Sequence, residues 1–325
     1  MNARTKRRWG RPPTTLPIAT QPWPAITVLT VCCLAAPFLL TDYQLTLTTI
    51  GLAYSVAVLG VALGFATVGM LALTQPAMML IGAYVALYAI DGLGLSFIFA
   101  AFAAIVVGII VALPLGWLTC RLDKFSFAVL GFAFTYLVSM LMSSSLLVTI
   151  TGGELGKPFP TAELFGLQLQ GTAGYVTLSL CVLSAYLLAP LMFRSTLGRV
   201  LVVMRPDDVL AKSVGIDTNL HRILLTMIVS AYGAFSGALI GLASGFIAPP
   251  QFDVALSISL LAMALVGGTR YLLGAAVGTA TLQVLPAMLG LSQVDRNLLV
   301  GIVLLACLVF IPNGLLSFWR QAHSG

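Results

Sequence analysis

Charged side chains are scarce in this 325-residue chain. Only 8% of its residues are Asp, Glu, Lys or Arg, whereas 59% are hydrophobic and the mean hydropathy is +1.05. A soluble protein carries about 25% charged residues, so the composition excludes a soluble globular domain. The apolar residues form long uninterrupted runs and not short alternating segments, which excludes a transmembrane β-barrel. Because several runs are long enough to cross ~30 Å of hydrocarbon as helices, the sequence predicts an all-α polytopic membrane protein.

The sequence also lacks the groups that a transporter needs to power itself. No Walker A phosphate-binding pattern is present, since the nearest segment, GELGKP at 153–158, does not have its spacing. Four acidic residues next to the spans fall at predicted span ends or in loops: Asp42, Asp91, Asp253 and Asp295. No proton or sodium relay is therefore predicted inside the membrane. The five cysteines have no metal-ligand spacing, and neither a metal site nor a catalytic cluster is predicted.

About ten transmembrane spans are predicted in one domain. They cover 25–41, 45–64, 74–90, 95–118, 127–148, 172–193, 223–246, 256–269, 272–290 and 298–314. The eighth is short, so we expect it to be broken or re-entrant. Residues 1–24 form a basic N-terminal segment ahead of the transmembrane domain, 25–325. We expect the first span to be an uncleaved anchor, because no small-residue cleavage site follows it.

Basic residues fall almost entirely on one side when the ten spans alternate across the membrane. Fourteen of the 16 Lys and Arg residues lie on the side of the N-terminus, and only Lys157 and Arg296 lie on the other. Cytoplasmic segments carry such an excess, so both termini are predicted to be cytoplasmic. The basic pI of about 9.2 thus reflects topology, and nucleic acid is not an expected partner.

The largest predicted cytoplasmic loop, residues 194–222, is rich in charge. It holds 8 of the 26 charged residues (16 basic and 10 acidic). Within it, the segment RPDDVLAKSVGI predicts a short helix, because Pro206 suits the first turn and Gly215 the C-terminal end. Asp208 and Lys212 are four residues apart and can pair on one face. So short a helix is marginal alone, and we expect the membrane surface or a protein partner to hold it.

This loop resembles the cytoplasmic coupling loop of ABC importer permeases of the branched-chain amino acid (leucine/isoleucine/valine) type. The family pattern, G-R-x-L-x-x-x-R followed by A-x-x-x-G-I, is matched by Gly198, Arg199, Leu201, Arg205, Ala211, Gly215 and Ile216. Three further segments are similar to the family in the same order: IGAYVAL at 81–87, the block from FIAPPQFD to LPAML at 246–289, and FIPNGLL at 310–316.

The resemblance implies an ABC importer permease fold and a subunit that performs no catalysis. It implies that ATP is bound by separate ATPase subunits, that a second permease subunit, identical or related, completes the pore, and that a periplasmic binding protein delivers branched-chain amino acids. The expected location is the bacterial inner membrane. The residues that the resemblance assigns to ATPase coupling are Gly198, Arg199, Arg205, Asp208, Ala211, Lys212 and Gly215.

The chain departs from the family pattern just ahead of Gly-Ala-Tyr. Met70, Ala72, Thr74 and Gln75 stand where family members often read Gly-Gln-x-Ser-x-Gly-His. We expect these positions to approach the translocation path, so the departure leaves the substrate open. Permeases for urea, short amides or simple sugars are the alternatives, and a stand-alone secondary transporter or channel is the alternative from a different class.

Polar residues inside the spans are candidates for the translocation path. Gln75 and Pro76 are the strongest, because a proline inside a span frees carbonyls that only protein or a wet cavity can satisfy. The expected path residues are Gln75, Pro76, Tyr84, Thr135, Tyr136, Tyr232 and Ser257.

Glycines four residues apart line one face of the seventh span, which predicts close helix packing: Gly233, Gly237, Gly241 and Gly245. The segments GVALGFA (60–66) and GLASGFI (241–247) share a pattern at the ends of two spans that run in opposite directions. An inverted repeat, a common plan among transporters, is therefore expected.

Overall fold

Helices make up most of the computed structural model, which describes residues 22–161, 163–164, 167–169, 171–204, 217–269, 271–290 and 293–310. The α-helices of these ranges are α1 (Pro22–Leu39), α2 (Asp42–Thr67), α3 (Gln75–Asp91), α4 (Phe97–Thr119), α5 (Lys124–Ser143), α6 (Val148–Thr151), α7 (Gly171–Arg194), α8 (Thr196–Met204), α9 (Thr218–Ser244), α10 (Val254–Gly267), α11 (Gly274–Thr279), α12 (Leu285–Met288) and α13 (Gln293–Phe310). Short 3-10 turns cover Gly153–Leu155 and Pro249–Phe252, and a π-helical turn covers Ala280–Val284.

Five of the described helices, α2, α4, α5, α7 and α9, are long and apolar enough to cross a membrane. Each of the ten predicted spans overlaps a helix. The eighth span, α10, has only 14 residues, and at 1.5 Å per residue it extends about 21 Å, less than the ~30 Å of the hydrocarbon core. The helix is continuous from Val254 to Gly267 and is therefore not broken, whereas a re-entrant course stays a prediction.

The bounds of all ten predicted spans shift by a few residues in the structure, and in two spans the shift has a visible cause. The fifth was predicted to reach residue 148 but ends at Ser143, where Ser144 turns into extended backbone and its hydroxyl bonds to the Leu141 carbonyl. Serine hydroxyls compete in this way with the helical ladder. The ninth is interrupted by the π-helical turn, in which the N–H of Leu285 bonds five residues back, directly before Pro286. Proline has no N–H to continue the normal ladder.

Side-chain caps explain where two of the helices begin. The Asp217 carboxylate accepts from the N–H groups of Asn219 and Leu220 at 3.1 and 3.2 Å at the start of α9. Asp253 accepts from the N–H of Leu256 at 2.9 Å at the start of α10. Such caps satisfy N–H groups that have no partner inside the helix, so Asp217 and Asp253 have structural roles at helix ends.

The helix α9 lies at the centre of the bundle and packs against α4, α3 and α2. The Ser236 hydroxyl of α9 donates to the Ala53 carbonyl of α2 at 2.8 Å. Gly60, seven residues further along α2, lies beside Val229, seven residues earlier in α9. The two helices therefore run antiparallel.

The loops gather at two opposite ends of the bundle. At one, termed the Arg199 end, Arg222 near the start of α9 donates to the Thr119 carbonyl at the end of α4, at 3.0 Å. At the other, termed the Lys157 end, strand β1 (Lys157–Pro158) pairs with β4 (Phe246–Ile247), directly after α9. The loops that the sequence placed on one side of the membrane thus meet at one end.

Two small antiparallel ladders of two-residue strands accompany the helices of the described residues and leave the predicted all-α class unchanged. One is the β1–β4 pair, and the other joins β2 (Glu163–Leu164) to β3 (Leu167–Gln168). Strands of two residues carry no periodicity that a sequence can reveal. The β1–β4 pair ties the loop after α6 to the end of α9.

Candidate translocation path

The chain leaves the helical conformation between α2 and α3, inside the bundle. Residues 68–74, termed the break segment, form only turns and irregular backbone. The side chains of Val68, Met70, Leu73 and Thr74 are at most 6% exposed. Irregular backbone within a membrane is tolerated only where protein groups or a water-filled cavity satisfy its polar atoms. The hydrogen-bond partners of the break segment therefore need to be identified.

Two of the predicted path residues satisfy the break segment. The carbonyl of Leu73 accepts from the hydroxyl of Thr135 in α5, at 2.9 Å, and from that of Ser257 in α10, at 3.0 Å. Both side chains are buried. Three separate parts of the chain therefore meet at one carbonyl oxygen.

Gln75 follows the break segment and connects two long helices. Its Nε2 donates to the carbonyls of Ala57 in α2, at 3.1 Å, and Val229 in α9, at 3.3 Å. Its Oε1 is buried without a hydrogen-bond partner among the described residues. Pro76 lies in the first turn of α3, where an N–H would have no helical partner in any case. Pro76 thus starts a helix and does not interrupt a span.

A small pocket, termed the Ser230 pocket, lies between the break segment and α9. Its volume is about 10 Å³, which is room for one water molecule. Ser230 is fully buried, and its hydroxyl has no partner in the described part of the chain. The pocket is lined from the break segment by Met70, Ala72 and Thr74, and from α9 by Leu225, Thr226, Val229 and Ser230.

The predicted path tyrosines contact other parts of the molecule. The hydroxyl of Tyr232 donates to the Ala185 carbonyl of α7 at 3.0 Å, and that of Tyr84 donates to the Thr151 carbonyl at the Lys157 end, at 2.8 Å. Tyr136 is 63% exposed on the surface of α5. The predicted path residues that meet at the break segment are Gln75, Pro76, Thr135 and Ser257.

The glycines of α9 do not all share one role. Gly233 and Gly237 face α3, and a Cβ on Gly237 would collide with the carbonyl of Met79. Such small residues let two helices approach closely in lipid. Gly241 faces an aromatic ring from a loop, whereas Gly245 has a φ of +65° and ends the helix.

A loop covers α3 at the Lys157 end. The hydroxyls of Tyr84 and Tyr88 donate to consecutive carbonyls of α6, and Nζ of Lys157 donates to the Tyr88 hydroxyl at 2.9 Å. The ring of Phe159, further along, packs against α9. Residues 148–159, termed the strap, therefore fasten α3 and α9 together at this end.

Part of the predicted coupling loop, 194–222, is described. Gly198 lies against the backbone of Phe193, and the exposed Arg199 donates to the Thr196 hydroxyl at 3.3 Å. The predicted coupling residues that lie outside the described residues are Arg205, Asp208, Ala211, Lys212 and Gly215.

The helix α8 connects this loop to the break segment. Leu201 and Met204 of α8 are fully buried and share one hydrophobic cluster with Val68 and Met70. The same cluster contains Val229, which lines the Ser230 pocket. A displacement of α8 would therefore be transmitted to the Ser230 pocket through the packed side chains of this cluster.

Sequence reasoning missed the Leu73 carbonyl and Ser230. A backbone acceptor leaves no mark in a sequence. Ser230, however, lies three residues before Gly233 and hence on the same face of α9. This spacing could have predicted that Ser230 faces the interior of the bundle.

The apolar helices and the buried break define the class of this molecule: it is a multi-pass helical membrane protein with irregular backbone in its interior. The chain belongs to the family of permease components of branched-chain amino acid transport systems, whose family model matches residues 43–312.

Two relatives place the chain within that family. It is 25% identical to the high-affinity branched-chain amino acid transport system permease protein LivM of Escherichia coli (strain K12), over 91% of this chain and 75% of the relative. It is also 25% identical to the LivM protein of Salmonella typhimurium (strain LT2), over 90% of this chain and 74% of the relative. No solved structure matches the chain.

Family membership confirms the predicted class. The chain is a non-catalytic permease component of an ABC importer, and in such systems a separate ATPase binds the ATP. The matched range runs from the start of α2 to the end of α13 and includes the break segment, α8 and the Ser230 pocket.

Proposed function

We propose that this chain is the subunit through which a bacterial ABC importer moves branched-chain amino acids across the inner membrane. A periplasmic binding protein delivers the cargo, and ATPase subunits supply the drive. Family membership is the observation that carries the proposal. Both relatives belong to high-affinity branched-chain amino acid transport systems, which supports this cargo.

The ligand of the binding protein tests the cargo. Binding of leucine, isoleucine or valine by the purified binding protein supports the proposal. Binding of urea, a short amide or a sugar would replace the cargo and leave the importer class unchanged.

In this proposal the ATPases dock on residues 194–222 at the Arg199 end. The support is the packing of α8, which begins in this loop and shares a hydrophobic cluster with the break segment. Nucleotide binding at the ATPases supplies the differential affinity that shifts the subunit between its states. The residues proposed to contact the ATPases are Gly198, Arg199, Arg205, Asp208, Ala211, Lys212 and Gly215.

The substitution Ala211→Glu tests this coupling. We expect the reconstituted importer to keep its basal ATPase activity and to lose most of its uptake, because a bulky charge interrupts the docking surface. Leu93→Glu is the matched control, since it adds the same charge at a loop position that is 73% exposed and lies outside residues 194–222. Unchanged uptake with Ala211→Glu would contradict the coupling assignment.

The Arg199 end is proposed to face the cytoplasm, together with both termini. Its excess of basic residues supports this orientation. The described basic residues of this end are Arg121, Lys124, Arg194, Arg199 and Arg222, whereas Lys157 lies at the other end.

A second permease subunit, identical or related, completes the translocation unit in this proposal. Within the chain, the antiparallel course of α2 and α9 supports an inverted repeat, because the similar segments 60–66 and 241–247 lie at their ends.

A stand-alone secondary transporter is not favoured. Among the residues whose side-chain exposure is described, no Asp, Glu, Lys, Arg or His residue as a whole is buried, although Nε of Arg222 is. Ion-coupled transporters use buried charged groups as relays. Uptake that survives loss of the ATPases and collapses with an ionophore would support that alternative.

A further inference from the structure

A pocket of about 210 Å³ lies between α2, α7 and α9 at the Lys157 end, where α2 and α7 begin and α9 ends. It is termed the Asp42 pocket, and its walls include Asp42, Thr46 and Thr49 of α2 and Gly171, Thr172 and Leu178 of α7. The Ser230 pocket, at about 10 Å³, has room for one water molecule. The Asp42 pocket is much larger, so a single ordered water does not fill it.

The walls of the Asp42 pocket change from polar to apolar with depth. Asp42 and Thr172 lie in the first turns of their helices and are exposed. Leu178, six residues further along α7, is fully buried, and at 1.5 Å per residue it lies about 9 Å deeper. The headgroup region on each side of a bilayer is about 5–8 Å thick. An amphiphile with its polar group at the mouth of the pocket therefore matches this order.

The charge at the mouth of the pocket is negative. Asp42 carries the one charge among the described lining residues, and its carboxylate has no hydrogen-bond or ion-pair partner in the described part of the chain. A carboxylate accepts from an ammonium group, and such charge-assisted bonds are roughly twice as strong as neutral ones. The hydroxyl oxygens of Thr46 and Thr172 line the same pocket and are further acceptors. The mouth therefore favours a cationic headgroup over an anionic one.

The start of α7 forms another part of the wall. Gly171 and Gly174 line the pocket, and no described atom lies within 4 Å of the Cβ position of Gly171. The backbone of this turn is therefore open to a ligand. N–H groups at a helix start attract phosphate, so this wall complements the Asp42 carboxylate with the opposite charge preference.

An exposed apolar stripe continues from the pocket along α7. Thr172 of the pocket wall lies on the same face of the helix as the exposed side chains of Val176, Leu180, Leu187 and Leu191. The helix is one of those long and apolar enough to cross a membrane. A lipid whose headgroup occupies the pocket can therefore lay an acyl chain on this stripe, which a small water-soluble ligand would leave unused.

From these features we infer that the Asp42 pocket binds a phospholipid that carries a primary ammonium group. The carboxylate of Asp42 accepts the ammonium, the first turn of α7 receives the phosphate, and an acyl chain lies along α7. The inference goes beyond the proposed function and does not depend on the cargo. In the proposed orientation the lipid belongs to the outer leaflet, where it would join α2, α7 and α9.

A series of phospholipids with identical acyl chains tests the headgroup. The purified full-length permease in detergent is titrated with phosphatidylethanolamine, phosphatidylcholine or phosphatidylglycerol, and bound lipid is measured by native mass spectrometry. Phosphatidylcholine keeps the positive charge but has no N–H to donate, and phosphatidylglycerol has no cation. We expect phosphatidylethanolamine to bind about 5-fold more tightly than either, the ratio that an ion pair at an exposed carboxylate reaches. Binding of all three within about 2-fold would overturn the inference.

A pair of variants tests the role of Asp42. Asp42→Asn removes the charge and keeps the size, so the three lipids should then bind within about 2-fold of one another. Asp91→Asn is the matched control, because Asp91 is an exposed carboxylate at the end of α3, outside the pocket, and this variant should keep the preference. A preference that survives Asp42→Asn would contradict the inference. If that variant does not fold, the lipid series on the unaltered permease decides alone.

Small amines test whether the whole lipid is the ligand. Free ethanolamine and leucine both carry an ammonium group, but neither has an acyl chain to bury. At a concentration equal to that of the lipid, neither should displace phosphatidylethanolamine. Displacement by either would assign the pocket to a small amine and overturn the lipid assignment. Because uptake is not measured, that result would leave the proposed function unchanged.

Discussion

At the scale of single residues, the carbonyl oxygen of Leu73 is the atom at which three parts of the chain meet. It joins α5 and α10 to the break segment through the hydroxyls of Thr135 and Ser257. In lipid, a side-chain hydrogen bond contributes about 0.6 kcal/mol on average. A carbonyl that loses every donor, however, costs about 1–3 kcal/mol. Either hydroxyl alone therefore keeps the Leu73 carbonyl hydrogen-bonded when the other is removed.

The substitutions Thr135→Val and Ser257→Ala should show this dependence. We expect each single variant to lower the free energy of unfolding by less than about 1 kcal/mol, and the double variant to lower it by about 1 kcal/mol more than the sum. Unfolding of the purified protein in detergent measures the cycle. Thr46→Val is the control, because that hydroxyl bonds only within its own helix. If the loss of unfolding free energy in the double variant equals the sum of the two single losses, the two hydroxyls do not share the task of satisfying the Leu73 carbonyl.

At the scale of single elements, the contact between α3 and α9 depends on missing side chains. Gly237→Ala should destabilise the protein by about 1–3 kcal/mol, the usual cost of overpacking, because the new Cβ would collide with the Met79 carbonyl. Gly301→Ala is the matched control, since no atom lies within 4 Å of its Cβ position. Thermal unfolding midpoints of the two variants provide the comparison, and equal midpoints would show that α3 and α9 are not in close contact.

The strap is the second element whose attachment can be tested. Tyr84→Phe removes the hydrogen bond to the Thr151 carbonyl and leaves the ring in place. We expect amide hydrogen exchange in residues 148–159 to rise by about 5-fold, because a bond worth about 1 kcal/mol no longer opposes local opening. Tyr43→Phe is the control, since Tyr43 is 65% exposed. If both variants exchange alike, the tyrosine does not hold the strap.

The elements also show what the sequence could predict. Apolar run length predicted a helix wherever the structure has one of the ten overlapping helices, of which five are long and apolar enough to cross a membrane. The two small ladders and the π-helical turn were not predicted, because short irregular features have no periodicity. For the candidate site, polar side chains inside spans pointed to Gln75, Thr135 and Ser257, which do meet. Tyr136 and Tyr84 do not meet them, because a sequence does not reveal which face of a helix is covered by its neighbours.

For the whole molecule, the orientation in the membrane remains a prediction. Leu155→Cys, at the Lys157 end, and Arg199→Cys, at the Arg199 end, place single reporters at exposed positions in a background without native cysteines. A membrane-impermeant maleimide added to intact cells should label the first and not the second. The reverse pattern would invert the topology and exclude ATPase docking on residues 194–222.

The central position of α9 has a consequence for how the chain is held together. This helix comes late in the sequence, yet it packs against α4, α3 and α2, so the early and late portions are interleaved and do not form side-by-side lobes. A polypeptide severed between Met204 and Asp217 should therefore stay associated as two fragments, and co-expression of those fragments should rebuild the bundle.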